Sequence, residues 1–408
     1  MTDSIKTTLN LTKIAALVRK DIPAQICNVT NPWGEMTARY TKPSHQQSAM
    51  TKTKTKWVVR CATDFDHPEL GDLPTRIDAD LNIPNSTTGH NLEHGTSVYA
   101  AGVAALEQQR IWLAQSGLPQ VALDLLSTDD ITLRGVTITY LIRCATHEEA
   151  VRLVDAINVT GKVLNAYWES TSSTNVTVKL PARTFTLSAY IKTSLKHCKF
   201  PDDAPVADLI EQTSCIVRIE VKLGFRFLRA RNLLALNSWR NAYEQGLYKT
   251  LFNETVVKFL RLDKGGLRHK EPREEVYARL TPTEAVLLRG YIAGRDPRKF
   301  KSVTESKNPG NRYSELRLAI LAVAKVDIGI AWVDHVKLRC FELAPQLQYS
   351  GDYHPSDAHA PWCFCKANWP SSLANFRTRY ESALAAAIQK LKLRHPAPGC
   401  SVVADVTP

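Results

Sequence analysis

Cys215-Ile216-Val217-Arg218-Ile219-Glu220-Val221-Lys222-Leu223 is the stretch that decides the fold class, because polar and apolar side chains alternate along it. Successive side chains of a β-strand leave opposite faces of a sheet. The alternation therefore predicts a half-buried strand. One face would be apolar, and the other would carry Arg218, Glu220 and Lys222.

Other segments predict further strands and helices around this one. Three β-rich segments are Ile77 to Leu81, Ile131 to Ile142, and Asn175 to Ile191 with a break at Pro181. The Ala- and Leu-rich run from Val98 to Ala114 predicts a helix. Thr146 and Glu149 form a capping-box pattern that predicts the start of another helix. Helices are also predicted almost throughout residues 228–333, outside a loop at 308–311, and again over residues 371–393.

The chain is basic, and its charge is concentrated in two segments. Its 408 residues include 52 Lys and Arg against 40 Asp and Glu, a net charge of +12. Residues 1–60 carry 10 basic and 3 acidic side chains, and residues 222–312 carry 20 and 9. A polyanion such as DNA is the partner class that this charge favours.

Eight basic residues of these segments are candidate phosphate contacts. Near them, Phe225, Phe227 and Trp239 could stack on bases. The alternatives are an edge strand protected by its lysines, and a helical layer whose aromatic side chains form the core. The candidates are Lys52, Lys54, Lys56, Arg226, Arg229, Arg231, Arg298 and Lys299.

Several function classes lack support. No apolar stretch approaches the roughly 20 residues that cross a bilayer, and the first residues do not form a secretory signal. The nine cysteines are an odd number without framework spacing, which favours a reducing cytosol. The sequence contains neither a GxxxxGK[ST] loop nor a GxGxxG fingerprint, so ATP-driven and NAD-dependent chemistry are not indicated.

Two histidine-containing clusters are possible metal sites. His354, His359, Cys363 and Cys365 fall within twelve residues and could bind zinc, although their Cys-x-Cys spacing is tighter than structural zinc sites use. The alternative is an exposed loop. His90 and His94 lie four residues apart, but the glycines on either side argue against the helix that would bring both onto one ion.

Tyr190 is a candidate nucleophile. Its phenol has a pKa of about 10 and is protonated at neutral pH, so a nearby ammonium or divalent cation would have to stabilise the phenolate. Lys192 follows two residues later, so in a strand its side chain leaves the same face. The alternative is a tyrosine that only packs in a strand.

A resemblance to a known family supports the hypothesis that Tyr190 is a nucleophile. Five segments, in this order, resemble motifs of the replication initiators of filamentous bacteriophages, the gene II/X family of rolling-circle nickases. The resemblance covers residues 65–350, including the helical region around Leu280-Thr281-Pro282, and is weak outside the named segments. The segments are Gly89-His90-Asn91-Leu92-Glu93-His94-Gly95-Thr96, Val136-Thr137-Ile138-Thr139-Tyr140, Tyr167-Trp168-Glu169-Ser170-Thr171, Thr186-Leu187-Ser188-Ala189-Tyr190-Ile191-Lys192 and Arg218-Ile219-Glu220.

The resemblance implies a reaction and its participants. Such enzymes nick one strand of a supercoiled origin, keep the 5′ end on a tyrosine, leave a free 3′-OH and later rejoin the ends. The nucleophile would be Tyr190 and its partner Lys192, with Mg²⁺ or Mn²⁺ polarising the phosphate. The partners would be supercoiled origin DNA, single-stranded DNA, and a host helicase and polymerase.

The metal ligands are less clear, because the sequence departs from the family's pattern. No two histidines are spaced i, i+2, and Thr137 stands where a strand aspartate is common. Asp80 and Glu220 are the leading carboxylates, with His45 as a third ligand and Asp78 and Glu169 in reserve.

Together these observations predict an α+β fold, in which an antiparallel sheet with flanking helices precedes a mostly helical region. The expected divisions are a nicking domain at 1–225, a basic DNA-binding region at 226–350 and a tail with one helix at 351–408. We expect a bacterial host's cytoplasm as the location, with no membrane partner. Two alternatives remain: a non-catalytic DNA-binding repressor or replication accessory protein, and an RNA-binding protein.

Overall fold

We describe the protein from a computed structural model. The residues described are 2–17, 26–30, 36–41, 44–47, 54–61, 74–115, 118–163, 167–172, 175–179, 184–192, 195, 198, 200, 204–262, 267–268, 270–335, 343, 345–349, 351 and 354–365. Side chains are described for fewer of them, and the peripheral strands are described by backbone pairing alone. The helix predicted over 371–393 lies outside these residues.

An antiparallel sheet of eleven strands forms the centre of the fold. Its order is β2-β3-β5-β6-β1-β8-β12-β11-β10-β9, and β4 pairs with β5. The strands are β1 (Thr2–Asn10), β2 (Ile26–Thr30), β3 (Met36–Thr41), β4 (Ser44–Gln47), β5 (Lys54–Cys61), β6 (Pro74–Asn82), β8 (Ile131–Arg143), β9 (Tyr167–Ser172), β10 (Asn175–Lys179), β11 (Phe185–Ile191) and β12 (Ile216–Gly224). A separate short parallel pair joins β7 (His94–Gly95) to β13 (Phe364–Cys365).

Helices flank the sheet and continue beyond it, so the predicted α+β class with an antiparallel sheet is confirmed. The helices are α1 (Ile83–Thr88), α2 (Val98–Gln115), α3 (Gln120–Asp124), α4 (His147–Val163), α5 (Val206–Ser214), α6 (Phe225–Ala230), α7 (Leu247–Phe252), α8 (Glu274–Tyr277), α9 (Pro282–Ile292), α10 (Lys301–Thr304), α11 (Pro309–Ala324) and α12 (Trp332–His335). Within the described part of the chain, no helix has the length and apolar character to cross a membrane.

The apolar face of the sheet forms the main core. On β12, Val217, Ile219, Val221 and Leu223 are all buried, as the alternation predicts. They belong to one cluster with apolar residues of α2, α4 and the segment from Phe227 to Leu267. Burying a side chain of this size contributes about 1.5–3 kcal/mol, so this layer dominates the stability of the sheet.

Two sequence predictions about helix starts have different outcomes. At α4, the Thr146 hydroxyl accepts a hydrogen bond from the Glu149 amide at 3.2 Å, as the capping pattern predicts. The loop predicted at 308–311 is wrong, because α11 begins at Pro309 and the Asn308 side chain caps it by accepting from the Asn311 amide at 3.3 Å. Proline is tolerated in a first helical turn, since its missing N–H has no partner there.

A second core lies among α8, α9, α10 and α11, around Tyr277, Leu287, Leu288, Leu316 and Ile320. A part-buried ion pair lies beside it: the buried Asp327 accepts from Nε and Nη2 of the partly exposed Arg317 at 2.5 and 2.9 Å. The buried apolar residues described between Phe227 and Leu267 pack with the sheet rather than with this second core.

Candidate catalytic site at the covered end of the sheet

The polar face of the sheet collects the chemically reactive side chains. In the register of β11 and β12, Tyr190 lies opposite Arg218, and Ser188 lies opposite Glu220. Directly paired residues leave the same face, so all four face away from the core. Tyr190 Oη donates a hydrogen bond to Glu220 Oε1 at 2.5 Å, across the diagonal.

Arg218 is the cation at the centre of this group and has no solvent exposure. Its Nη2 lies 3.4 Å from Asp3 Oδ1 and 3.3 Å from Glu220 Oε1. Its guanidinium carbon also lies 5.6 Å from the centre of the Tyr190 ring. A buried guanidinium needs such partners, since an unpaired buried charge is costly. Arg218 thus fixes both carboxylates beside the phenol.

Asn91 ties the loop of residues 89–95 to the same group. Its side-chain amide donates to Asp3 Oδ1 at 2.6 Å, and its side-chain oxygen accepts from Lys192 Nζ. The backbone oxygen of Asn91 accepts from Arg218 Nη1. One loop residue therefore contacts Asp3, Lys192 and Arg218 at once.

The electrostatics differ from the expected stabilisation of a phenolate by Lys192. Burial raises the pKa of Tyr190 well above its ordinary value; Arg218 opposes this shift, and Glu220 adds to it. Burial and the nearby Arg218 lower the pKa of Lys192. The resting phenol is therefore protonated, and its proton is directed at Glu220.

Residues 354–365 hold the loop over this site. His90 Nδ1 accepts from the Leu92 amide at 3.3 Å, so Nε2 carries the proton and donates to the Trp362 carbonyl at 2.8 Å. The pairing of β7 with β13 adds backbone contacts. Cys363 packs with Leu92 and Leu209. Burial lowers the pKa of His90 to about 4, so this histidine is neutral at pH 7.

The four residues considered for zinc do not come together as ligands. His359, Cys363 and Cys365 are buried and His354 is exposed. His359 Nδ1 lies 3.6 Å from Glu93 Oε2. In the described ranges, no group of three or more His, Cys, Asp or Glu side chains suits a metal. The exposed-loop alternative is wrong for His359, Cys363 and Cys365, because this part of the segment is docked on the loop of residues 89–95, and it is confirmed only for His354.

His90 and His94, the histidine pair in this loop, do not belong to a metal-binding group within the described residues either. His94 is fully buried, and neither ring nitrogen has a hydrogen-bond partner within the described part of the chain. Burial lowers the pKa of His94 well below its ordinary value, with Arg218 as the next cause.

Asp80 and Glu220 cannot share one ion, so their joint prediction as metal ligands is wrong. Asp80 on β6 lies opposite Lys6 on β1, and Lys6 lies opposite Gly135 on β8. Glu220 lies on β12, three strands away from β6, and it pairs with Thr139 rather than with Gly135. Three strand spacings alone separate them by roughly 14 Å, whereas ligands of one Mg²⁺ each lie about 2 Å from the ion. Asp80 instead forms an ion pair with Lys6 at 3.2 Å.

Of the other proposed ligands, one contacts residues other than Glu220, and the side chains of two lie outside the described residues. Asp78 accepts from the Thr8 hydroxyl at 2.6 Å and lies 3.4 Å from Arg134 Nη1. His45 on β4 pairs with Lys56, and Glu169 on β9 pairs with Thr177, but the side chains of both lie outside the described residues.

Among the described residues, Asp3 and Glu220 are the carboxylates beside Tyr190 and Arg218 that could contact a divalent cation. Both lie within 3.4 Å of the same guanidinium nitrogen of Arg218. Mg²⁺ commonly binds through one or two carboxylates, with waters and substrate phosphates as its other ligands. Asp3 Oδ1 and Glu220 Oε1 already contact Arg218, so an ion that arrived with a phosphate would bind through the other oxygens of these two side chains.

The proposed DNA-binding residues divide into exposed and internally bound ones. Arg226, Arg229, Arg298 and Lys299 are exposed. Arg231 pairs with Glu254 and stacks 3.6 Å from the centre of the Phe227 ring. The side chains of Lys52, Lys54 and Lys56 lie outside the described residues.

The nearby aromatic residues are mostly core. Phe227 and Trp239 are buried, so base stacking on them is wrong and the core alternative is confirmed for both. Phe225, in contrast, is 44% exposed.

Asp3 and Asn91 are the site residues that sequence reasoning did not propose. Asp3 faces the site because β1 has an irregularity between Thr2 and Ser4 in its pairing with β8. Asn91 lies in Gly89-His90-Asn91, one of the segments that carry the family resemblance, and this is the sequence signal that could have identified it.

No model of a known protein family matches the chain, and no curated protein matches it.

Proposed function

We propose that the protein nicks and rejoins one strand of DNA with Tyr190 as the nucleophile, as an initiator of rolling-circle replication. The observation that carries this proposal is the hydrogen bond from Tyr190 Oη to Glu220 Oε1, 2.5 Å long, beside Arg218. A phenol with an adjacent carboxylate base and cations has the parts that phosphoryl transfer to a side chain requires.

The proposed reaction conserves atoms and charge. Tyr190 Oη attacks the scissile phosphorus, and the phenol proton passes to Glu220. The P–O3′ bond breaks, and the departing oxygen takes the proton from Glu220 to become the free 3′-OH. Rejoining reverses these steps: the 3′-OH attacks the phosphotyrosine, and Tyr190 regains its proton.

Arg218 and Lys192 are the cationic groups beside the phenol. Charge builds on the non-bridging oxygens and on the departing oxygen during such a transfer, and fixed cations in a water-poor site stabilise it. Asp3 and Asn91 orient these cations through their hydrogen bonds. A divalent cation held by Asp3 and Glu220 would supply further neutralisation of the phosphate.

A groove on the polar face could bring a DNA strand to this site. It has a volume of about 410 Å³, and Ser4, Lys6, Thr137, Thr186 and Lys222 are among its lining residues. Lys222 follows Glu220 by two residues on β12, so both leave the same face. Lys222 is exposed and forms no ion pair within the described part of the chain, so its charge is available to a phosphate.

Three segments of the family resemblance also support the proposal. Residues 89–96, 186–192 and 218–220 lie far apart in sequence, yet Asn91, Tyr190, Lys192 and Arg218 contact one another in space. In this proposal the exposed basic residues hold origin DNA, and a host helicase and polymerase use the 3′-OH in a bacterial cytoplasm.

Replacement of Tyr190 by Phe tests the proposal. Tyr190→Phe keeps the ring and removes only the attacking oxygen, so nicking of supercoiled origin plasmid in Mg²⁺ should fall to background while DNA binding persists. Tyr243→Phe is a control that removes a hydroxyl away from Glu220. Unchanged nicking by Tyr190→Phe would overturn the proposal.

One observation favours the second candidate, a non-catalytic DNA-binding repressor. The side chain of Tyr190 is half-buried, and burial raises its pKa, as for a tyrosine that only packs. The repressor predicts DNA binding without a covalent adduct, so a denaturing gel of protein incubated with origin DNA distinguishes the two.

A further inference from the structure

A second concave site lies in the helical part of the chain, away from Tyr190. It is an open pocket of about 890 Å³ between the end of α9, the segment of residues 294–298, α11 and residues 328–333. This volume is in the range of small-molecule sites. Its apolar floor includes the buried residues Tyr291, Ile328 and Ile330.

Two aromatic side chains line the pocket and remain partly exposed. Tyr313 donates its hydroxyl hydrogen bond to the Ile328 carbonyl at 3.3 Å, which fixes the ring at the wall. Trp332 stacks on His335 with the ring centres 5.4 Å apart. Rigid, partly exposed rings of this kind provide stacking surfaces for a planar ligand.

Two arginines lie at the rim. Arg298 stacks over the Tyr313 ring at 5.2 Å, and neither Arg298 nor Arg295 forms an ion pair within the described ranges. The rim also contains one carboxylate, Asp296, which accepts a hydrogen bond from the backbone amide of Arg298 at 3.0 Å. The rim therefore has two available positive charges against one negative charge.

We propose that this pocket binds one unpaired nucleotide of a DNA single strand. The base would enter against Tyr313 and Trp332, and the adjoining phosphates would contact Arg295 and Arg298. A duplex cannot offer this fit, because its bases are stacked inside the helix. This inference rests on the proposed function in one respect, the choice of DNA rather than another ligand with a planar ring and a phosphate.

The first test compares intact and base-free DNA. We would titrate the full-length protein into a labelled single strand of roughly 12 nucleotides, and into the same strand with an abasic site at each position in turn. The proposal predicts a loss of roughly tenfold in affinity at one position, since stacking of one base accounts for about that factor. Equal affinity for the intact strand and all the abasic strands would contradict it.

Paired variants locate the effect. Tyr313→Leu removes the ring and should remove the difference between intact and abasic strands, whereas Tyr313→Phe keeps the ring and should keep it. Arg295→Gln and Arg298→Gln should weaken binding several-fold more than Lys301→Gln, which removes the same charge from an exposed residue outside the pocket lining. If Arg295→Gln, Arg298→Gln and Lys301→Gln lowered the affinity for DNA equally, the attraction would come from the overall positive charge rather than from the pocket, and the proposal would be overturned.

A second measurement needs no variant and so does not depend on whether Tyr313→Leu folds. 2-Aminopurine at the sensitive position should lose emission on binding, because stacking on an aromatic ring quenches it; unchanged emission would also count against the pocket. Tyr190→Phe should leave all these binding results intact. Loss of nicking with base-dependent binding retained therefore separates failure of the nicking proposal from failure of this one.

Discussion

Tyr190 donates its phenol proton to Glu220 at 2.5 Å, although Ser188 rather than Tyr190 lies directly opposite Glu220 in the sheet. The bond runs along the diagonal between adjacent strands, a distance that aromatic and other long side chains span. The first role of Glu220 in this account is therefore to accept the proton of the nucleophile.

Glu220→Gln should reduce nicking about 10²–10⁴-fold, the usual contribution of a positioned general base. The amide keeps the shape of the carboxylate and can still accept a hydrogen bond from the phenol, but it cannot take up the proton. Nicking of supercoiled plasmid under single-turnover conditions measures the effect. Glu315→Gln is the matched control, because Glu315 forms an exposed ion pair with Arg312 on α11, outside the site and the groove, and the variant should retain activity. Equal losses in the two variants would refute the assignment.

Arg218→Met should destabilise the protein by about 3–5 kcal/mol, because it leaves Asp3 and Glu220 buried without their cation. Urea unfolding followed by circular dichroism measures the change. Arg226→Met removes an exposed arginine and should change the free energy of unfolding by no more than about 0.5 kcal/mol. A similar small change for Arg218→Met would show that the buried ion pairs contribute little.

Asn91→Leu should cost about 1–3 kcal/mol of stability, because Asp3 and Lys192 both lose a buried hydrogen-bond partner. Nicking should fall as well, since Lys192 is no longer held beside the phenol. Asn311→Leu, at an exposed position in the first turn of α11, provides the comparison. If nicking by Asn91→Leu equals wild type after correction for the folded fraction, the loop has no role in positioning Lys192.

Asp327 should make the stability of the protein depend on acidic pH. Burial alone would raise the pKa of Asp327, but hydrogen bonds from Arg317 and Gly329 and the charges of Arg317 and Arg261 lower it overall. A lowered folded pKa adds stability above the unfolded value of about 3.9, and that stability is lost as the pH falls below it. The free-energy difference between wild type and Asp327→Asn should thus shrink between pH 5 and pH 3.

Glu315→Gln, in an exposed ion pair with Arg312, should show no comparable pH dependence. If the difference in the free energy of unfolding between wild type and Asp327→Asn stayed constant from pH 5 to pH 3, the interactions of Asp327 would not lower its pKa in the folded protein.

Local patterns predicted the strands and helices that have strong periodicity. The alternation at 216–223 and the β-rich run at 131–142 both correspond to observed strands. The central strand β1 was not predicted, although Ile5, Thr7 and Leu9 alternate with exposed or half-buried residues in it. The strand is stabilised by pairing with β6 and β8, and a local sequence pattern does not reveal such long-range pairing.

The site was only partly predictable for the same reason. Tyr190, Lys192 and Glu220 could be found from strand patterns and a resemblance. Asp3 and Asn91 reach the site through a strand irregularity and a loop, which depend on tertiary contacts. The metal prediction failed at Asp80, because two carboxylates on one polar face can still lie several strands apart.

The central claim is that Tyr190 becomes covalently attached to DNA. The most direct measurement incubates the protein with labelled supercoiled origin DNA and Mg²⁺, digests both, and identifies the modified peptide by mass spectrometry. We predict one phosphotyrosyl-nucleotide adduct on Tyr190, which is absent in Tyr190→Phe. DNA binding without any adduct, or an adduct on another residue, would contradict the account.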